Sequence, residues 1–194
     1  MGIVGLTTPT GLPLSLQKLI SCGLTEVSPE GEVKPALALS WTTNDSGKEY
    51  VFTLRNDIKW HDGTTFSAYD VNYNLKDVEF IPLDEFTLQV KLKEPFTPLP
   101  HFLAKPLFKK GLIGVGSYKI SNIKLKGEQV AYLKLNPIVP DLPPIDVKFF
   151  HSEQMAKTAF KLGEISLLDE LSDPQPFTDW KTVEVRDTVN YQRY

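Results

Sequence analysis

The sequence is poor in the residues that staple or metallate small proteins. It holds one cysteine, Cys22, which excludes an internal disulfide and any site built on several cysteines. Its three histidines, His61, His101 and His151, stand far apart, and no pair has metal-ligand spacing. No run of about 18 apolar residues occurs, so no segment reads as a membrane-spanning helix. Lysine and arginine form no block and the net charge is -3, which argues against a nucleic-acid footprint. Internal repeats and low-complexity tracts are absent too. What remains is an ordinary globular composition, 41% hydrophobic and 23% charged over 194 residues. That is enough chain for one large domain or two small ones around a buried core.

Proline and glycine cut the chain into short elements. The spacing of Leu16, Leu19 and Ile20 predicts a short helix from Pro13 to Ile20, stopped by Gly23. Leu24 to Val27 and Tyr50 to Arg55 read as strands, with turns at Ser28–Gly31 and Asn44–Gly47. His61-Asp62-Gly63 is a tight turn. Ser67 and Asp70 have the spacing of a helix cap, and the helix is expected over Ala68 to Leu75. Val78 to Ile81 and Thr87 to Leu92 form an antiparallel pair. Pro95, Pro98, Pro100 and Pro106 make an irregular loop with one helical turn near Phe102. Tyr118 to Ile120 and Gln129 to Leu135 are a second hairpin, and Ile145 to Phe150 is a strand. Ser152 caps a helix to Leu162, with Gly163 as its stop. Ile165 to Leu168 and Val183 to Arg186 are the last strands. The fold class is therefore α+β, with mixed, largely antiparallel sheets and flanking short helices.

Motif chemistry is sparse. Cys22 lies at a helix end without a cationic neighbour, so it reads as a buried structural thiol. Gly111 to Gly116 matches neither a dinucleotide nor a phosphate-binding loop. No serine sits in G-x-S-x-G. Asp84, Glu85, Asp169, Glu170 and Asp173 are scattered, and nothing pairs them as glycosidase carboxylates. Trp41, Trp60 and Trp180 read as core residues, with ligand stacking the alternative. No cofactor site is expected. Met1-Gly2-Ile3-Val4 lacks the basic segment of a signal peptide, and Leu6 breaks a myristoylation pattern. Val189 to Tyr194 reads as strand, so the chain is expected to be a piece of a longer protein.

An ordered set of short motifs carries more. It runs Lys-Pro-Ala-Leu-Ala-Leu-Ser-Trp at 34–41, Tyr-Val-Phe-Thr-Leu-Arg at 50–55, Lys-Trp-His-Asp-Gly-Thr at 59–64 and Ser-Ala-Tyr-Asp-Val at 67–71. Thr87 to Phe96, Gly114-Val115-Gly116-Ser117-Tyr118 and Phe160-Lys161-Leu162-Gly163-Glu164-Ile165 continue it. In this order and spacing the chain resembles the family 5 extracellular solute-binding proteins, the peptide/nickel-type receptors of ABC importers. The quoted residues themselves look structural, so they identify a scaffold rather than a site.

The resemblance implies one lobe of a periplasmic-binding-protein-like (type II) fold. Residues 1–194 would be a partial first lobe, with a small subdomain at about 28–110 inserted between segments 1–27 and 111–194. The helical insertion that the family carries after A-x-D-V is reduced here to Asn72–Glu79. Family members close two lobes on a ligand, and peptide-binding members take the ligand backbone as an added strand. The family's first-lobe contact segment falls here on Cys22, Gly23, Leu24 and Thr25, with Gly23 permitting close backbone approach. The implied partners are a peptide or other small solute and an ABC importer permease, with no nucleic acid. The implied location is extracytoplasmic, and membrane association would come only from an upstream lipid anchor. Catalysis is not expected, so a hydrolase on this scaffold is the remote reading. A stand-alone one-lobe module that binds a protein partner is the alternative.

Overall fold

The structure is a computed structural model that describes residues 1–44, 46–169, 171, 172 and 177. In chain order its elements are β1 (Gly2–Val4), α1 (Leu14–Ile20), β2 (Thr25–Val27), β3 (Val33–Pro35), β4 (Ala38–Thr43), β5 (Glu49–Leu54), β6 (Val78–Pro82), β7 (Thr87–Leu92), α2 (Leu99–Phe102), β8 (Tyr118–Lys126), β9 (Gln129–Pro137), β10 (Ile145–Phe150), α3 (Glu153–Lys161) and β11 (Leu168–Asp169). They fall into two compact units, Met1–Pro9 with Ser121–Leu135 and Pro144–Tyr194, and Thr10–Ile120 with Asn136–Pro143.

The smaller unit is a five-stranded sheet in the order β11-β1-β10-β9-β8. β1 runs parallel to both neighbours, pairing Ile3 with Phe149 on one side and Asp169 on the other. Three residues are too few to show a strand period in the sequence. β9 and β10 are antiparallel, with Leu133 opposite Val147. Both are fully buried, as is Ala156 of α3, which packs on β1 and β10. Ser152 caps α3 by accepting the Met155 N–H, and Gly163 ends it at φ +72°. The expected strand at Val183 to Arg186 lies outside the described residues, as do Glu170, Asp173 and Trp180.

The larger unit holds a four-stranded antiparallel sheet, β4-β5-β7-β6, and the β2-β3 pair. Tyr50, Phe52 and Leu54 alternate inward from β5 with Leu88 and Val90 opposite them on β7, the period-2 pattern of a half-buried strand. These side chains join Leu24, Leu37, Trp60, Phe66, Leu99 and Leu103 in one core. The stretch Asn136–Pro143 is tied to this unit by Ile138 N–H to the Ser117 carbonyl (2.9 Å) and the Tyr118 hydroxyl to the Pro143 carbonyl (3.1 Å).

The helix expected over Ala68–Leu75 shrinks to a single 3-10 turn, Ala68–Asp70. The cap forms: the Asp70 carboxylate accepts from both the N–H and hydroxyl of Ser67. Propagation fails because the Asn72 side chain accepts the Asn74 N–H at 2.8 Å, a local bond that competes with the helical one. Asn74 and Asp77 then take left-handed φ of 51° and 60°, which an α-helix cannot continue through.

Candidate functional site

The four predicted residues follow α1 directly. Leu16 and Ile20 bury the inner face of α1, and Ser21 leaves the helix in an extended conformation with its hydroxyl donating to the Leu107 carbonyl. Beyond it nearly every main-chain group is committed. The Cys22 carbonyl accepts from Leu107 N–H (3.0 Å), that of Gly23 from Leu37 N–H (3.2 Å), and that of Leu24 from Ala36 and Ala38 N–H (3.1 and 2.9 Å). Leu24 N–H donates to the Tyr73 hydroxyl (3.0 Å) and Thr25 N–H to the Leu103 carbonyl (3.4 Å). Among the described residues, the N–H groups of Cys22 and Gly23 meet no protein acceptor.

The side chains of Leu24 and Thr25 are wholly buried, with Leu24 in the core and the Thr25 hydroxyl on the Pro100 carbonyl. What this segment leaves without a protein acceptor among the described residues is thus the N–H of the partly buried Cys22 and that of the buried Gly23. The close approach expected at Gly23 is made by the protein's own backbone, at Leu103 and Ala104.

The motif at 59–64 connects to this segment through the glycine loop at 114–116. The buried Trp60 donates its indole N–H to Asp70 (3.1 Å), and its ring packs on Phe66. Lys109 lies over the Trp60 ring at 5.1 Å, donates to the Thr64 hydroxyl at 2.6 Å, and stands 3.6 Å from Asp62 and 3.9 Å from Asp70. Bonds from the hydroxyl and N–H of Thr64 hold the Asp62 carboxyl below the usual range. His61 accepts the Gly114 N–H at Nδ1 (3.4 Å), so Nε2 donates to the Gly116 carbonyl (2.9 Å). Gly116 N–H reaches the Ile20 carbonyl at 2.8 Å, at the end of α1.

The chain of contacts therefore runs from the tryptophan turn through the glycine loop to the residue pair preceding Cys22. Asp70→Ala strands the buried indole N–H and is expected to cost about 2 kcal/mol in urea unfolding followed by tryptophan fluorescence.

Cys22 is expected to be a slow-reacting thiol. Burial pushes it up to about 11, with Glu26 raising it further and Arg55 opposing. Set against a thiol of 9.0, its alkylation by iodoacetamide at pH 8 is expected to be about 100-fold slower. The native state then holds this proton where the unfolded state has lost it, so stability should fall as pH rises from about 9 to about 11. A Cys22→Ala chain should lack that slope.

The remaining sequence candidates stay apart. His61 is spent on the glycine loop, and no group of three or more His, Cys, Asp or Glu among the described residues could hold a metal. Trp60 is core, while Trp41 lies at the core's edge against Phe52. Sequence reasoning missed Tyr73 and Leu103, whose contacts to the site span 49 residues (Leu24 to Tyr73) and 78 (Thr25 to Leu103). No helix among the described residues is long and apolar enough to cross a membrane.

Known proteins share this architecture. The chain is 27% identical over 188 residues to the nickel-binding periplasmic protein of Escherichia coli, covering 78% of this chain and 36% of that protein. It superposes on NikZ from Campylobacter jejuni, solved in complex with Ni(L-His), with a TM-score of 0.69 at 23% identity, covering 85% of this chain and 42% of that one. It also superposes on DppA from Helicobacter pylori, solved with the peptide STSA, with a TM-score of 0.68 at 18% identity, covering 86% and 45%. The fold is that of the type II periplasmic binding proteins, and the chain spans less than half the length of these relatives. The family model "Bacterial extracellular solute-binding proteins, family 5 Middle" matches residues 32–193. The chain thus belongs to the family 5 bacterial extracellular solute-binding proteins.

Proposed function

We propose that this chain supplies part of the substrate-binding component of an ABC importer for peptides or a similar solute, outside the cytoplasm, and carries no catalysis. The observation behind this reading is the pair of amide N–H groups at Cys22 and Gly23 that meet no protein acceptor among the described residues. A buried backbone N–H without an acceptor is rare in folded proteins. Gly23 is buried and its N–H meets no protein acceptor among the described residues, so an incoming oxygen is a fitting partner for it. A peptide carbonyl or carboxylate is such an oxygen, and pairing through main-chain groups is indifferent to the ligand's side chains.

Leu24 and Thr25 serve as the fixed base of this edge. The segment 28–110, within the larger unit, is its inserted subdomain. An importer permease is the partner, and any membrane attachment is by an upstream lipid anchor. Peptide binding by the Helicobacter relative and periplasmic location of the Escherichia relative support the assignment.

The contacts available on this chain alone set a weak affinity, in the millimolar range or about -4 kcal/mol. Titrating the ¹⁵N-labelled chain with trialanine should shift the amide resonances of Cys22 and Gly23 first. Isothermal titration should detect nothing at micromolar concentration. Micromolar binding, or shifts that bypass residues 22 and 23, would overturn the reading.

A further inference from the structure

We propose that Tyr73 is the positioning residue of the binding edge: its hydroxyl holds the bend that leaves the Cys22 and Gly23 amides free for a ligand. Successive N–H groups of a regular extended chain point to opposite sides. Here two successive ones converge. Leu24 N–H donates to the Tyr73 hydroxyl at 3.0 Å, Thr25 N–H to the Leu103 carbonyl at 3.4 Å, and the hydroxyl itself donates to that carbonyl at 2.7 Å. A phenol can accept and donate at once, which closes a three-membered network that neither Leu24 nor Leu103 could make alone.

The ring is held in place by Phe80, 5.7 Å away at 34°. Burial pushes the phenol well above its ordinary value, so the hydroxyl keeps its proton and remains a donor. The opposite side of the segment is pinned by the bonds from Leu37, Ala36 and Ala38. Tyr73 thus adds a side-chain constraint to the backbone bonds that set the direction of the chain at 22 and 23.

This inference rests on the binding reading above, and its test separates the two. In Tyr73→Phe the Leu24 amide loses its acceptor. Its hydrogen exchange should quicken about tenfold or more relative to the Phe52 amide. The trialanine response at Cys22 and Gly23 should weaken about tenfold as the bend relaxes. Val90→Ala, a change in the same core, should destabilise the chain while leaving the peptide response intact, which a merely structural role for Tyr73 would not predict.

An unchanged Leu24 exchange rate, or an unchanged peptide response, in Tyr73→Phe overturns the proposal. Silence of the wild-type chain toward trialanine overturns the binding reading instead, and the Leu24 exchange ratio then decides Tyr73's role. Should Tyr73→Phe not fold, the wild type carries the test. A slowly exchanging Tyr73 hydroxyl proton with a nuclear Overhauser effect to the Leu24 amide supports the network, and its absence overturns it.

Discussion

Replacing Phe52 with alanine is expected to lower stability by about 3–5 kcal/mol. The side chain is fully buried at the middle of β5. It faces Leu88 on β7 and Trp41 on β4 in register, and touches two rings, Trp41 at 6.0 Å and Tyr50 at 6.3 Å between centroids. Strands on both sides fix the backbone, so the site cannot collapse to refill the space, and the cavity adds to the lost transfer energy. Urea unfolding read by tryptophan fluorescence would report it, because Trp41 is one of the fluorophores. Phe52→Leu keeps most of the volume and should cost under about 1.5 kcal/mol. Similar losses for both variants would mean that this ring is not the keystone of the larger unit.

Gly23→Ala should be nearly as damaging, at about 3 kcal/mol, and should abolish the peptide response. Gly23 does not have the left-handed φ that usually demands glycine. It is needed for room: an added Cβ would run into the Leu103 carbonyl and stand 2.7 and 2.8 Å from the Ala104 carbonyl carbon and Cα. All three are backbone atoms, so no rotamer change relieves the clash. The Leu103 carbonyl also accepts from Tyr73 and Thr25, so pushing it away breaks the network that orients the amides at 22 and 23. Gly31→Ala is the contrast. That residue has φ +85° with nothing near its Cβ direction, and the change should cost only about 1–2 kcal/mol. A Gly23→Ala chain as stable as wild type would show that the Leu103 segment yields freely.

The alternation of Phe52 and Leu54 was legible because a strand's period is local, and so were the caps at Ser67 and Ser152, whose partners lie within three residues. The failed helix after Asp70 shows where local reading stops. Val71-Asn72-Tyr73-Asn74-Leu75 has a helical apolar spacing, yet one asparagine side chain and two left-handed residues override it. The placement of Cys22 to Thr25 came from a likeness between motifs rather than from chemistry visible in those four residues.

Composition and order of motifs determined the α+β class and the family, because these depend on patterns a few residues long, and the resemblance pointed to the candidate edge at Cys22 to Thr25. Which amides of that edge stay free was decided only in three dimensions. Their neighbours are satisfied by Tyr73, Leu103 and Leu107, brought in from 49 to 85 residues away in the chain, and a hydrogen bond over that separation leaves no periodic trace in the sequence.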